Sequence, residues 1–290
     1  MSNNQVSVFE SRYKKLGLQH INQFTLDDIN TEKFRPYIKA LYLPPDYTIT
    51  VDFKLYVTQA PSLFFVNSNQ YLSIQGIGVK DGYMIFYNRD FYCVQIHDAE
   101  VACDGLLFNN LSNMPMTTLK AEDNGIVDNI FKLINEELSV AQLQQEEMLR
   151  VYLKQLIIFS TRLWRIQQLG VLNSSADHDT GFFRQFSLLV ENHYRDKHAV
   201  ADYAEIMGIA PKTLTHKLRK MHRSQPNEII KDRIILEAKR LLIHTSMSAK
   251  EIAYQLGYDD PGYFNRLFAL KSGTNTSEFR KKYNLGKMYN

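Results

Sequence analysis

Hydrophobic residues alternate with polar ones from Tyr47 to Val57. Tyr47, Ile49, Val51, Phe53, Leu55 and Val57 are interleaved with Thr48, Thr50, Asp52, Lys54 and Tyr56. A period of two predicts one strand with a single buried face. Shorter strand candidates follow at 62–67, 70–76, 83–88 and 100–108, separated by Gly76, Gly78, Gly82, Gly105 and the turn-prone Asn67-Ser68-Asn69. Strands this short and closely spaced predict a small antiparallel barrel or sandwich over about 40–110. From 122 to 169 the period becomes helical. Val127, Phe131, Ile134 and Leu138 form one stripe, and Ser139 with Gln142 reads as a capping box opening a second, longer helix. Leu149, Leu153, Leu156, Ile157, Leu163, Trp164 and Ile166 give that helix an apolar face too broad for one neighbour. Part is expected to meet the barrel and part a second subunit, with Leu149, Leu153, Leu156, Leu163 and Trp164 as the dimerisation candidates. Ser160 and Gln167 interrupt the heptad spacing a long coiled coil needs. Residues 170–180 are small and polar and read as a linker.

After the linker one pattern occurs twice. The first copy runs Val200-Ala201-Asp202-Tyr203-Ala204, then Gly208, Leu214, Leu218, Pro226 and Ile229. The second runs Ala249-Lys250-Glu251-Ile252-Ala253, then Gly257, Phe264, Phe268, Thr276 and Phe279. Two short helices joined by a glycine-bearing turn form the frame that lays a recognition helix in the major groove of DNA. Doubling of the frame, with a helix over 226–245 between the copies, predicts a chain that reads two successive groove segments. That connecting helix buries Ile230, Ile234, Ala238, Leu241 and Leu242.

Charge separates the same two regions. Residues 181–290 hold 19 Lys and Arg against 11 Asp and Glu, a net of +8, whereas residues 1–180 carry −5. A basic C-terminal third on an acidic remainder is the asymmetry expected when only one domain meets phosphates. Cys93 and Cys103 are too few for a disulfide framework or a four-thiolate zinc site. The N-terminus shows no basic stretch followed by an apolar run, and no apolar run reaches the ~20 residues of a membrane span. A soluble, cytoplasmic protein that does not enter the membrane is expected.

The segment from about 184 to 283 resembles the DNA-binding domain of the AraC/XylS family of bacterial transcription regulators. The resemblance rests on the string from Ser248 to Asp260, on Tyr263-Phe264-Asn265-Arg266-Leu267-Phe268, and on Gly273 and Ser277-Glu278-Phe279-Arg280. Arg233, Ala238 and Leu241-Leu242 fit the family's connecting helix. The N-terminal part is more loosely similar to the cupin-like sensor and dimerisation domain of many members. Thr276 stands where proline is usual and Arg223 where the first unit usually has glycine, while the small residue usual two positions before the aromatic of the second recognition helix is Gly262. Ser248 and Asp260 can cap the helices of the second unit, with Pro261 at N1. Their counterparts in the first unit, Ala199 and Ala210, cannot. At about 1 kcal/mol per missing cap, the first unit is expected to be the softer.

The resulting expectation is an α+β chain of two domains. A cupin-like antiparallel β-barrel spans 1–121, a helical dimerisation segment 122–169, a linker 170–180, and an all-α DNA-binding domain 181–290, with helix-turn-helix units at about 199–222 and 248–271. In the first recognition helix Leu214, Leu218 and Met221 face the core and leave Lys212, Thr213, Thr215, His216 and Arg219 outward. The resemblance implies base-reading positions at Lys212, Thr215 and His216, with Arg219 and Lys220 on the backbone. In the second helix Asn265 suits adenine and Arg266 suits guanine. Ser248, Arg280 and Lys281 fit phosphate contacts. Val51, Phe53, Leu55, Phe65 and Tyr83 are the candidate lining of an effector pocket.

Enzymatic readings fail on composition. A metal-dependent cupin enzyme needs clustered histidines, and the N-terminal region has only His20 and His97. A DNA-repair methyltransferase needs four cysteines around zinc, and neither a phosphate-binding glycine loop nor a nucleophile elbow is present. No metal, no cofactor and no catalytic residue is expected. The expected partners are double-stranded operator or promoter DNA, a second copy of the chain, a small organic effector and, for an activator, RNA polymerase. The alternative is a regulator of the same family whose N-terminal domain only dimerises or docks a protein.

Overall fold

The computed structural model describes residues 6–68, 70–92, 107–108, 116–140, 142–169, 176–222 and 225–284. The chain divides into two compact units, residues 1–110 with 114–173 and residues 111–113 with 174–290.

The first unit is built on antiparallel strands: β1 Ser7–Ser11, β2 Lys14–Ile21, β3 Ile38–Leu43, β4 Thr48–Val51, β5 Lys54–Val57, β6 Ser62–Val66, β7 Leu72–Gly76, β8 Gly82–Tyr87 and β9 Met116–Thr118. Among the described residues they form two sheets, β1-β2-β8-β3-β6-β9 and β5-β4-β7. The expected barrel is therefore not closed. Pro44 and Pro45, with Asp46 at φ +68°, follow β3 and end its ladder, and the chain then crosses to the second sheet.

The six-stranded sheet is buried on both faces. Leu41, Leu43, Phe64, Val66, Met84 and Phe86 meet Ile49, Val51 and Ile74 of the smaller sheet. On its other side Ile38, Ala40, Leu63, Phe65 and Ile85 meet helices α2 Ala121–Ser139 and α3 Gln145–Leu169. Two-sided burial covers every residue of β3, Lys39 included, so alternation alone does not reveal the strand.

The alternating run at 47–57 is a hairpin rather than one strand. Asp52 and Phe53 form a two-residue turn with φ +46° and +68°, and Val51 pairs with Lys54 and Thr48 with Val57. Asp52 is held by Gln70 Nε2 and the Tyr71 amide, and the Phe53 ring stacks on Tyr71 at 5.1 Å. Opposed residues of an antiparallel pair share a face, so Lys54 and Tyr56 fall on the side of Val51 and Ile49. Leu55 and Val57 are turned outward, Leu55 to 64% exposure.

The expected cap at Ser139 also differs. Ser139 ends α2, its hydroxyl donating to the Asn135 carbonyl. Gln145 opens α3, and its side-chain amide donates to the Glu137 and Val140 carbonyls left over at the end of α2. At the other end of α3, Gln167 brackets Thr118 of β9, accepting from its amide and donating to its carbonyl.

Leu149, Leu153 and Leu156 are fully buried, Trp164 nearly so, and Leu163 packs on the same cluster. All five expected dimerisation residues are consumed within the chain, because α2 and the sheet together cover a face that neither would cover alone. Among the described residues, the large apolar side chains that α3 leaves exposed are Met148, Val151 and Ile166.

The five expected pocket residues do not converge. Val51 lies between the sheets, Phe65 and Tyr83 lie on the opposite face of the larger sheet, Phe53 is in the turn and Leu55 is outside.

The second unit is helical: α4 Ala176–His193, α5 Val200–Ile206, α6 Pro211–His222, α7 Pro226–His244, α8 Ala249–Gln255, α9 Pro261–Ser272 and α10 Thr276–Asn284. Helix α4 starts inside the stretch expected as linker, since nothing in 176–180 forbids a helix once its apolar side is packed. Phe186 and Tyr203 meet edge to face at 5.7 Å, and Phe264, Phe268 and Phe279 form the core of the second helix pair. Helix α7 buries Ile230, Ile234, Ala238 and Leu242 as expected, whereas Leu241 is half-buried.

Candidate nucleic-acid interface

The two helix pairs α5–α6 and α8–α9 repeat each other closely. Val200 and Ala249 open the first helices, Pro211 and Pro261 open the second, and both turns carry a left-handed glycine, Gly208 at φ +65° and Gly257 at +78°. The additional residue of the second turn lies between Gly257 and Pro261.

Their capping differs as the residue types require. The Ser248 hydroxyl accepts from the Glu251 amide at 3.2 Å, and the Glu251 carboxylate accepts from the Ser248 amide at 2.7 Å, a complete capping box. The Ser248 amide and then its hydroxyl, both donating to the carboxylate, hold the Glu251 carboxyl below its usual range. Asp260 Oδ1 accepts from the Gly262 amide at 2.7 Å. In the first unit only half of a box exists, with the Asp202 carboxylate accepting from the Ala199 amide at 3.0 Å.

On α6 the side chains of Leu214 and Leu218 are buried, while Lys212, His216, Arg219 and Lys220 are exposed. Together with Thr215, Pro211 and Val200 these four line one open concavity. The Thr215 hydroxyl donates to the Pro211 carbonyl at 3.0 Å, so it must leave that bond to donate to a base. The Met221 side chain and Arg223 lie outside the described residues. On α9 Phe264 and Phe268 are buried and Asn265 and Arg266 exposed, the guanidinium standing 3.8 Å from the Asp260 carboxylate. An ion pair that loose and exposed is worth little and yields readily to a better partner.

Two expected phosphate ligands are otherwise engaged. Arg280 Nε donates to the Leu242 carbonyl at 2.8 Å and its Nη2 to Met247, so the guanidinium closes the C-terminal end of α7 instead of pointing to solvent. The Ser248 hydroxyl donates to Glu251 at 2.7 Å. Lys281 is exposed as expected.

The unit is tied together by contacts that no local pattern announces. Arg233 of α7 is buried, its Nε and Nη2 donating to Glu191 of α4 at 2.6 and 2.8 Å and its Nη1 to Glu237 at 3.1 Å. The Tyr194 ring lies 3.9 Å from the guanidinium carbon. Burial opposes the charge, but the Glu191 and Glu237 carboxylates override it and raise the arginine's affinity for its proton. Glu237 also receives Arg240 at 3.4 Å and Arg195 at 3.6 Å.

Residues 203–282 match the family model of a helix-turn-helix domain. The Arabinose operon regulatory protein of Salmonella typhimurium is 32% identical over 92 residues, 31% of this chain and 33% of that protein. The transcriptional activator Btr of Bacillus subtilis is 30% identical over 93 residues, 32% of this chain and 18% of Btr. The chain carries an AraC/XylS-type helix-turn-helix domain. It spans between 7% and 41% of the length of the curated relatives it matches. Among solved structures, fatty-acid-bound ToxT of Vibrio cholerae is 15% identical and covers 97% of each chain at a TM-score of 0.41. The DNA-binding domain of AdpA in complex with a target DNA is 19% identical and covers 38% of this chain at a TM-score of 0.34. Superpositions this loose transfer neither fold nor ligand.

Thr276 and Gly262 of the AraC/XylS-type domain have local explanations. Thr276 stands at the first position of α10, where proline is favoured only because the amide there has no helical partner. Asn275 provides the cap through the Glu278 amide, which makes proline dispensable. Gly262 lies under the Asp260 cap, where an added Cβ would come 3.0 Å from Oδ1.

Proposed function

We propose that the chain is a sequence-specific DNA-binding transcription regulator that grips DNA through α6 and α9. The observation that carries this reading is the exposure of Lys212, His216, Arg219 and Lys220 on one side of α6, at the same frame position that holds Asn265 and Arg266 on α9. Arg219, Lys220 and Lys281 serve the phosphates, while Lys212, His216, Asn265 and Arg266 face the base edges. RNA polymerase is a partner if the regulator activates. Catalysis is not part of this reading. His97, Cys93 and Cys103 lie outside the described residues, and among the described residues no group of three or more His, Cys, Asp or Glu is placed to hold a metal. No helix among them is long and apolar enough to cross a membrane.

A small organic effector gains no support from the expected pocket residues, which lie on different faces. A homodimer formed through α3 would draw on Met148, Val151 and Ile166, since Leu149, Leu153, Leu156 and Trp164 are buried and Leu163 is half-buried.

The test is selection of duplexes from a random pool by the full chain, followed by binding to the enriched sequence across salt. Affinity should fall steeply, log K losing roughly 0.9 per neutralised phosphate for each unit of log salt. Arg266→Ala and Asn265→Ala should relax specificity at one end of the site, and Lys212→Ala and His216→Ala about one helical turn, roughly 34 Å, away. A pool that fails to enrich any sequence overturns the reading.

A further inference from the structure

The two recognition helices offer DNA different chemistry. Fifty positions relate α6 to α9, so Thr213, His216 and Lys220 correspond to Tyr263, Arg266 and Leu270. Helix α6 has no acidic residue and carries Lys212, Lys217, Arg219 and Lys220. Helix α9 carries only Arg266 and Lys271. Lys271 is turned away to Glu228 and Asp232 of α7, at 2.7 Å from the latter. Arg266 already stands beside Asp260.

In place of cations, α9 shows a line of apolar groups. Tyr263, Arg266 and Leu270 lie at i, i+3 and i+7, one turn apart on an exposed strip that borders the buried Leu267. Leu270 is 81% exposed and Tyr263 46%, its ring leaning on Tyr258 at 5.9 Å. A single exposed leucine is ordinary. Two large apolar side chains bracket the one outward arginine, and where α9 has Leu270 the counterpart on α6 is the cation Lys220, so α9 offers DNA an apolar surface there.

We propose that α9 reads thymine: Arg266 takes a guanine, and Tyr263 and Leu270 pack on the C5-methyl groups of thymines to either side. This rests on the DNA-binding reading above. The chemistry fits, because the thymine methyl is the one apolar feature among the base edges of the major groove, and apolar side chains recognise it. It also gives the helices different chemistry: α6 brings most of the cations, and α9 adds recognition of thymine methyls to its guanine contact.

The test removes methyls from the DNA. Duplexes enriched by the full chain are remade with deoxyuridine for thymine in one half-site at a time, which keeps every hydrogen bond and deletes only the methyl. Wild-type protein should lose about fourfold in affinity per contacted methyl, from the transfer of one carbon out of water, and only in the half-site that Arg266→Ala also weakens. Leu270→Ala and Tyr263→Ala should bind thymine and uracil duplexes alike at the positions each contacts, with an unchanged salt slope. Leu270→Ala tests the reading even if loss of the Tyr258 contact unsettles Tyr263→Ala. Equal wild-type affinity for both duplexes, or a uracil penalty that persists in both variants, overturns the proposal while DNA recognition stands. A Leu270→Ala variant with unchanged binding to every duplex but altered transcription also overturns it, showing that the leucine meets a protein. A pool without enrichment removes the DNA-binding reading and this proposal together.

Discussion

Gly257 and Arg195 approach so closely that a Cβ on the glycine would lie 2.1 Å from the arginine's carbonyl oxygen. His198, three residues beyond Arg195, stacks on Tyr258 at 4.5 Å. The segment ahead of the first helix pair thus seats on the turn of the second. Gly208, the counterpart in the first turn, has nothing within 4 Å of the same added atom. Gly208→Ala should cost about 1 kcal/mol, the price of a left-handed alanine. Gly257→Ala carries the same strain and must also displace backbone, so it should cost clearly more. Urea unfolding of the two variants checks the order, and equal losses would refute the close approach.

The missing side-chain cap at Ala199 predicts that the first unit is the softer of the two. Amides of 199–222 should exchange faster than those of 248–271 in the free protein and gain more protection on binding DNA. Ala199→Ser should complete the box with Asp202 and slow exchange there, adding about 1 kcal/mol locally. Equal protection of the two segments in hydrogen exchange would remove the inference.

Burial of α3's apolar face inside the chain predicts how its variants behave. Leu156→Asp should lower the unfolding midpoint at every protein concentration, because it places an unpaired charge in the core. Val151→Glu, on the exposed side, should leave folding intact and alter only self-association, if any occurs. Ultracentrifugation beside thermal unfolding separates the two effects, and a Leu156→Asp protein that folds normally but dissociates would restore the dimer surface.

Lys39 introduces a pH dependence. It lies in β3 with its ammonium buried and donating to the Tyr37 carbonyl at 2.7 Å, and burial pushes its pKa from 10.5 down to about 7. Between those values the unfolded chain binds the proton and the folded chain does not, so stability should rise as pH rises from about 7 towards 10.5. Below about 7 both forms are protonated and this group adds no further slope. Lys39→Met should flatten the rise and stabilise the protein at neutral pH. Urea midpoints of both proteins at pH 7 and 9.5 are the measurement, and parallel curves would exclude the lysine as the cause.

The sequence by itself determined the doubled helix pair, its two glycine turns and the unequal caps. Each depends on residues within about four positions of one another, where helical spacing and side-chain type decide the outcome. It determined likewise that Lys212, His216, Asn265 and Arg266 face outward, since each lies one or two positions, and so about 100–200° around the helix, from a buried leucine or phenylalanine. Only the tertiary structure decided what lies across from each apolar face. Periodicity records that α3 has a broad hydrophobic side, not that α2 and a sheet of the same chain cover it. Alternation through Asp52-Phe53 reads as one strand until the chain folds back, and pairing then places Leu55 outside. Arg280 reads as a surface cation until the end of α7 comes within its reach, and the burial of Arg233 follows only once Glu191 of α4 meets it. These outcomes depend on partners tens of residues away, which local pattern does not encode.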